Sequence, residues 1–417
     1  MNRINVNSVI LQHAESTVSL LVQRSYLSTN ARMALRHLER IDNRLAANID
    51  GLKVAGDAGW KVSLSQLDPP GPGEMFAVAL LAMDSKKTEA LKKLFSLAKT
   101  ESITQEGLIR SFEWTEQPPS RALEWLGVQQ DGFLRLVALR GFSQCRIDPK
   151  ELLLNCIQNR DVSLQAISLE TIGKLGKLDQ RALCETMMGH KASSISFWAS
   201  YSATLLGSQN CLKQLGEFAI QPGPYQHKAL NLLLKAIPLP NAHKFIQALS
   251  KNPENQRAVI KAVGIAGDPF YIPWLIERMS DPVFTRLAGE SFSFITGVDL
   301  AYQDLEQKPP EDFESGPNDD PDDPNVELDE DDDLPWPDVE KVTHWWWQHS
   351  KQFESGTRYF MGKPVTSEHC FEVLKDGFQR QRIAAAVYLC LLKPGSVLFP
   401  TSAPAWRQKE LLKTWPH

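Results

Sequence analysis

The sequence predicts an all-α chain: a helical-hairpin solenoid with an acidic, proline-rich insertion and a helical C-terminal cap. Three observations carry that prediction. Apolar residues recur at three- and four-residue steps over most of the 417 positions, the spacing that places them on one face of a helix. Turn residues recur at Gly176, Gly207, Pro238, Gly267 and Gly297, at spacings of 31, 31, 29 and 30. From Asp304 to Glu340 both patterns stop, and seven prolines and 17 acidic residues replace them.

The totals agree with a folded chain. A hydrophobic share of 42% is ordinary for a globular protein and ample for a core. The net charge of −5 hides a division. Asp304 to Glu340 sets 17 acidic residues against Lys308 alone, a net of −16. The rest therefore holds 44 Lys and Arg against 33 Asp and Glu, a net of +11. A basic body with an acidic insert is the first feature with functional content. The six cysteines are scattered and form no CxxC, a pattern of free thiols in a reducing compartment. No stretch approaches the roughly 18 apolar residues of a membrane span, and no signal-peptide pattern opens the chain, so the expected location is cytoplasmic.

In chain order, residues 1–67 read as an N-terminal helical segment. Ile10, Ala14, Val18, Leu21 and Val22 share one helical face, and Leu35, Leu38, Ile41, Leu45, Ile49 and Leu52 share another. The run Asp68-Pro69-Pro70-Gly71-Pro72-Gly73 stops helix and strand alike and predicts a boundary. Residues 74–303 read as repeats of helix, tight turn and helix. Each turn residue follows an apolar stretch, and Cys184, Leu215, Ile246 and Leu275 follow the turns by seven to nine residues. Earlier the turn column degenerates, with Cys145 in the place of the glycine. Residues 304–340 read as an acidic linker or loop, with 308–333 expected to be mobile and dispensable unless the basic body docks it. Residues 341–417 read as the cap, with helices over Val342–Phe353, Glu368–Lys375 and Gln379–Leu392.

The repeat pattern resembles HEAT-repeat proteins, which are built from pairs of antiparallel helices. Further motifs are similar to those of an uncharacterised bacterial family whose genes often lie beside type VI secretion genes. They are Arg286-Leu287-Ala288-Gly289-Glu290-Ser291-Phe292, Ile295-Thr296-Gly297-Val298-Asp299-Leu300, Asp333-Leu334-Pro335-Trp336-Pro337-Asp338 and Gly356-Thr357-Arg358-Tyr359. The resemblance extends to Arg44-Leu45-Ala46-Ala47 and Asp50-Gly51-Leu52. It implies a setting and no catalytic residues.

Motifs for chemistry are weak. Gly173-Lys174-Leu175-Gly176-Lys177 lacks the GKS or GKT of a phosphate loop and sits at a helix end. Gly141-Phe142-Ser143-Gln144-Cys145 lacks the second glycine of a nucleophile elbow. His344, His349, His369 and Cys370 fit no common zinc spacing. The run Asp319 to Glu327 lacks the central glycine of a calcium loop. Lysines and arginines are dispersed, without the basic stripe that nucleic acid requires.

Trp345-Trp346-Trp347 is the most unusual local feature. Three adjacent helical residues span about 200° of arc, so one face cannot bury all three. With Trp336 they are the residues assigned to partner binding. The expected function is non-enzymatic recognition of a protein on the concave surface of the stack, without cofactor, metal, nucleic acid or membrane. The setting implied by the resemblance makes it an adaptor or chaperone accessory to type VI secretion that handles an effector or spike component. An immunity protein against a co-encoded toxin, or an enzyme on a helical-repeat scaffold, are the alternatives.

Overall fold

The computed structural model describes residues 7–115, 119–311, 313 and 329–415. Among these residues lie 22 α-helices and two pairs of two-residue strands. The chain divides into two compact units, Met1–Ser208 with Pro394–Pro416, and Gln209–Lys393.

In the first unit α1 (Asn7–Leu27) packs on α2 (Leu35–Val54). Leu38, Leu45, Ile49 and Leu52 of α2 are buried, as their spacing predicts. On α1 the buried face runs through Ile10, Ala14, Thr17, Leu20, Leu21 and Arg24, while Val22, expected inside, is 55% exposed. Pro72 opens α4 (Pro72–Asp84) in its first turn, after α3 (Asp57–Ser65). Phe76 and Leu80 of α4 share one cluster with Leu20, Leu21, Leu45, Ile49 and Trp114. The run Asp68–Gly73 thus separates helices and not domains, because the apolar faces on its two sides belong to one core.

Next come α5 (Thr88–Thr100), α6 (Gln105–Glu113), α7 (Ser120–Gly127), α8 (Gly132–Cys145), α9 (Glu151–Ile157), α10 (Val162–Lys174), α11 (Arg181–Met187) and α12 (Ser193–Leu205). α7 packs with α8, α9 with α10 and α11 with α12, while α4, α6, α8, α10 and α12 stack in sequence. Asp131 and Asp161 cap α8 and α10, accepting from Phe133 N at 2.8 Å and Ser163 N at 2.7 Å. The turn column therefore links one packed pair to the next and does not lie inside a pair.

The second unit repeats the scheme. α13 (Leu212–Ile220) packs with α14 (Gln226–Ala236), α15 (Leu239–Leu249) with α16 (Gln256–Ala266), and α17 (Ile272–Arg278) with α18 (Thr285–Thr296). α14, α16 and α18 stack in sequence. Cys184, Leu215, Ile246 and Leu275, predicted as interior positions, are all buried. β1 (Glu306–Gln307) pairs antiparallel with β2 (Trp336–Pro337), and Asp338 N donates to Leu305 O at 2.8 Å. The acidic insert is thus a loop closed at its base. α19 (Val339–His349) begins at the Asp338 cap. β3 (Tyr359–Phe360) and β4 (Lys363–Pro364) precede α20 (Ser367–Asp376), which Thr366 caps, and α21 (Gln379–Leu392), which packs on α14.

The region expected as one cap, 341–417, is shared between the units, and much of it acts as a strap rather than as a lid on the stack. The reason is the need to satisfy helix-end carbonyls, which a helix leaves without partners. In the second unit the Arg358 guanidinium donates to Lys235 O and Ile237 O at the end of α14, each at 2.7 Å. Tyr359 N donates to Gly267 O at 2.7 Å beyond α16, and Met361 N to Phe294 O at 2.7 Å near the end of α18. In the first unit Leu398 N donates to Lys174 O at 2.8 Å at the end of α10. Leu398 O accepts from Arg146 Nε at 2.7 Å just beyond α8. A terminal helix that the sequence pattern misses, Ala405–Thr414, packs on α2.

This crossing explains the glycine column. Gly267 sits at φ +74°, and a Cβ there would lie 2.3 Å from Tyr359 O. Gly176, at φ +65°, would meet Gly395 O at 2.3 Å. One repeat earlier the left-handed residue is Arg146, at φ 56°, and not Cys145, and its side chain reaches the strap. Gly267→Ala should therefore cost about 1 kcal/mol from the left-handed backbone alone, and a further 1–3 kcal/mol from displacing the strap. Urea denaturation of the variant checks this, and a total loss near 1 kcal/mol refutes the strap contact.

Candidate partner-binding surface

The insert and the basic body meet in the second unit. Arg257 and Lys261 lie one turn apart on α16, Arg286 lies on α18, and Arg380 opens α21. The 3.6-residue period places Arg257 and Lys261 on one face, and the stacking of α16 on α18 adds Arg286 beside them. All four turn to Asp329-Glu330-Asp331.

Arg257 grips Asp331 with both ends of its fork, Nη1 to Oδ2 at 2.8 Å and Nη2 to Oδ1 at 2.6 Å. Asp331 is 3% exposed, so its carboxylate is buried under the fork, while Arg257 itself stays 34% exposed. Glu330 Oε2 accepts from Lys261 Nζ at 3.2 Å and from Arg257 Nη2 at 3.1 Å. The Lys261 charge, with Arg257, holds the Glu330 carboxyl below the usual carboxylate range against a smaller effect of burial. Asp329 accepts from Arg286 Nη2 at 2.6 Å. The Arg286 guanidinium lies 4.9 Å from the Trp336 ring centre and 5.2 Å from that of Phe313. Arg380 donates to Glu330 O at 3.1 Å and bridges to Glu290, whose carboxyl burial pushes up against the pull of Arg380. This end of the insert is docked, contrary to the expectation that 308–333 is mobile. Charge and shape both oppose mobility at 329–331, and 314–328 lie outside the described residues.

The four tryptophans separate by environment. Trp336 is half-buried in β2, packed on Arg286 and edge-on to Phe313 at 4.7 Å. Trp345 meets the buried Phe292 edge-to-face at 5.7 Å and stacks on His349 at 4.2 Å. Trp346 is half-buried beside Phe353. Trp347 is 76% exposed, with His344 stacked against it at 6.4 Å. The structure thus gives Trp345 and Trp346 to packing, Trp336 to the docked insert, and leaves Trp347 facing solvent. In the second unit α21 packs on α14, Tyr388 of α21 donates to Ile265 O at 3.4 Å, and Arg380 donates to Glu290.

The chain matches no family model, no curated protein and no solved structure.

Other candidates take structural places. His344 Nε2 pairs with Gln348, His349 donates to Trp345 O at 2.7 Å, and His369 donates to Phe360 O at 2.7 Å. Among the described residues no three His, Cys, Asp or Glu side chains gather to hold a metal ion. The run Asp319 to Glu327 lies outside the described residues. Lys174 and Lys177 pair with Glu170 and Asp148. Ser143 is buried within α8. Among the described residues no helix is long and apolar enough to cross a membrane.

One group that the sequence reading missed is Lys235, 8% exposed on α14. Its Nζ donates to Asn231 Oδ1 at 2.7 Å and lies 5.2 Å from the Tyr388 ring centre. Burial, with the Arg358 charge adding to it, lowers its pKa from 10.5 to about 7. That is the range of a nucleophilic lysine, but the amine is enclosed and directed at Asn231.

The lowered pKa has a definite sign in stability. Between pH 7 and 10.5 the unfolded chain binds a proton that the folded chain releases, so stability rises with pH through that window. Cys370 opposes it above pH 9, where the unfolded thiol ionises and the buried one, raised to about 12, does not. The melting temperature of the second unit should therefore climb between pH 7 and 9, and Lys235→Met should flatten that climb. A wild-type profile that is level over this range sinks the assignment.

Environment also predicts how the tryptophans respond to truncation. Trp345→Ala should lower the melting temperature through lost contact with Phe292. Trp347→Ala should leave it within about 1 °C, as expected for an exposed side chain. Differential scanning fluorimetry distinguishes the two.

Proposed function

We infer that the protein acts by stoichiometric binding of another protein, and that each unit is a HEAT-like helical-hairpin array. The observation that supports this is that both units already hold a crossing stretch of chain along their helix ends. Residues 356–362, which form β3 with its flanking turns, and the irregular segment 394–405 are fixed there by main-chain groups of Tyr359, Met361 and Leu398 and by the Arg358 guanidinium. Paired helices whose ends take up a crossing chain in this way are suited to a protein ligand.

The setting suggested by the sequence makes it an adaptor or chaperone accessory to type VI secretion, acting on an effector or spike component encoded nearby. Trp347 is the anchor assigned to that partner, because it is large, aromatic and 76% exposed. Reading it as an interface residue needs no change in the packing around it.

The test is co-purification of the full chain with the products of neighbouring genes. A fixed stoichiometry and a dissociation constant of ~1 µM or tighter, about −8 kcal/mol, is the expected result. Trp347→Ala should weaken capture at least tenfold while melting stays normal. Loss of effector export on gene deletion supports the adaptor role, and protection from a neighbouring toxin replaces it with immunity. A purified protein that binds no neighbour and turns over a small substrate overturns the reading.

A further inference from the structure

We propose that the basic notch of Arg257, Lys261, Arg286 and Arg380 is a receptor site for an acidic peptide segment of a partner protein, and that Asp329–Asp331 is its displaceable internal occupant. The proposal rests on the protein-binding reading above and names the chemistry of the partner.

Three features favour a peptide ligand with consecutive carboxylates. The notch offers a separate cation to each of three successive residues: Arg286 to Asp329, Lys261 to Glu330 and Arg257 to Asp331. Arg257 presents its fork in the bidentate geometry of a carboxylate. Arg380 reads the backbone at Glu330 O, a contact that any peptide can supply. The site is therefore built for side chains at peptide spacing.

The occupant is held chiefly by charge. Glu330 remains 67% exposed and Arg257 34%, so solvent and salt reach the middle of the contact. Its advantage over an external ligand is tethering. The β1–β2 ladder and the Asp338-to-Leu305 hydrogen bond keep the base of the loop closed. An attached segment of this kind acts at an effective concentration of about millimolar, which a free peptide must exceed or outbind. Weakening the internal carboxylates should therefore open the notch to a ligand in trans.

The experiment uses the full chain and a labelled peptide with the sequence of residues 328–334, Leu-Asp-Glu-Asp-Asp-Asp-Leu. A control peptide carries Asn and Gln in place of Asp and Glu. Fluorescence anisotropy at 50 mM salt should show Asp329→Asn/Glu330→Gln/Asp331→Asn binding the acidic peptide at least tenfold tighter than wild type. The control peptide should not bind, and Arg257→Glu should abolish the gain.

The single variant Glu330→Gln, at an exposed position, should improve binding severalfold and guards against misfolding of the triple variant. Equal affinity of wild type, the single and the triple variant overturns the proposal, as does equal binding of the neutral peptide. The two readings fail separately. Peptide binding without any co-purifying neighbour sinks the adaptor role and leaves the notch. A neighbour captured equally by wild type and Arg257→Glu sinks the notch as the partner site and leaves the adaptor.

Discussion

The structure depends on the carbonyl groups at the C-terminal ends of its stacked helices. Each helix leaves such groups without internal donors, and a stack places several along one edge. Here the chain returns to supply donors. In the second unit Arg358, Tyr359 and Met361 serve the ends of α14, α16 and α18 in succession. In the first, Leu398 serves α10. Close approach of the returning chain requires turns without a Cβ, so the same constraint selects left-handed glycine there. The turn column and the strap are two halves of one solution.

Charge is managed in the same spirit at one buried pair, where each ion has several partners. Arg24, 1% exposed, pairs with Asp42 and donates to Ser402 O at 2.9 Å and Ala403 O at 2.8 Å. Asp42 in turn accepts from Ala405 N at 2.6 Å. A buried ion pair without such supplementary bonds recovers little of its desolvation cost. With them it fixes the register of the returning chain. The surplus of +11 in the body has a comparable role in the second unit, where it seats an acidic turn.

Much of this was legible in the sequence. Three- and four-residue spacing located the helices α1 and α2, the helical character of 74–303 and the ends of α21. The 30-residue column located the turns. What escaped was long-range. Position 24 falls on the inward face of α1, yet nothing local announces that it also donates to Ser402 O and Ala403 O, some 380 residues away. The domain division at Ser208 escaped because the column passes through Gly207 without a change of period. The helix Ala405–Thr414 escaped because only Ala405 and Gln408 of its residues are buried, too few to set a stripe. The Trp345–Trp347 run showed that three rings cannot share a face, but only the positions of Phe292 and Phe353 decide which one is left outside.

Because unit 1 takes its last strand of chain from Pro394 onward, it straddles the whole of unit 2 in the order of synthesis. A ribosome adding roughly 5–20 residues per second needs on the order of 10–40 s to make Gln209–Lys393. For that interval the first twelve helices have emerged without the residues that serve Arg24 and Asp42. The nascent protein thus spends a fixed period with a charged, unlatched seam, and premature termination anywhere in unit 2 leaves unit 1 incomplete as well.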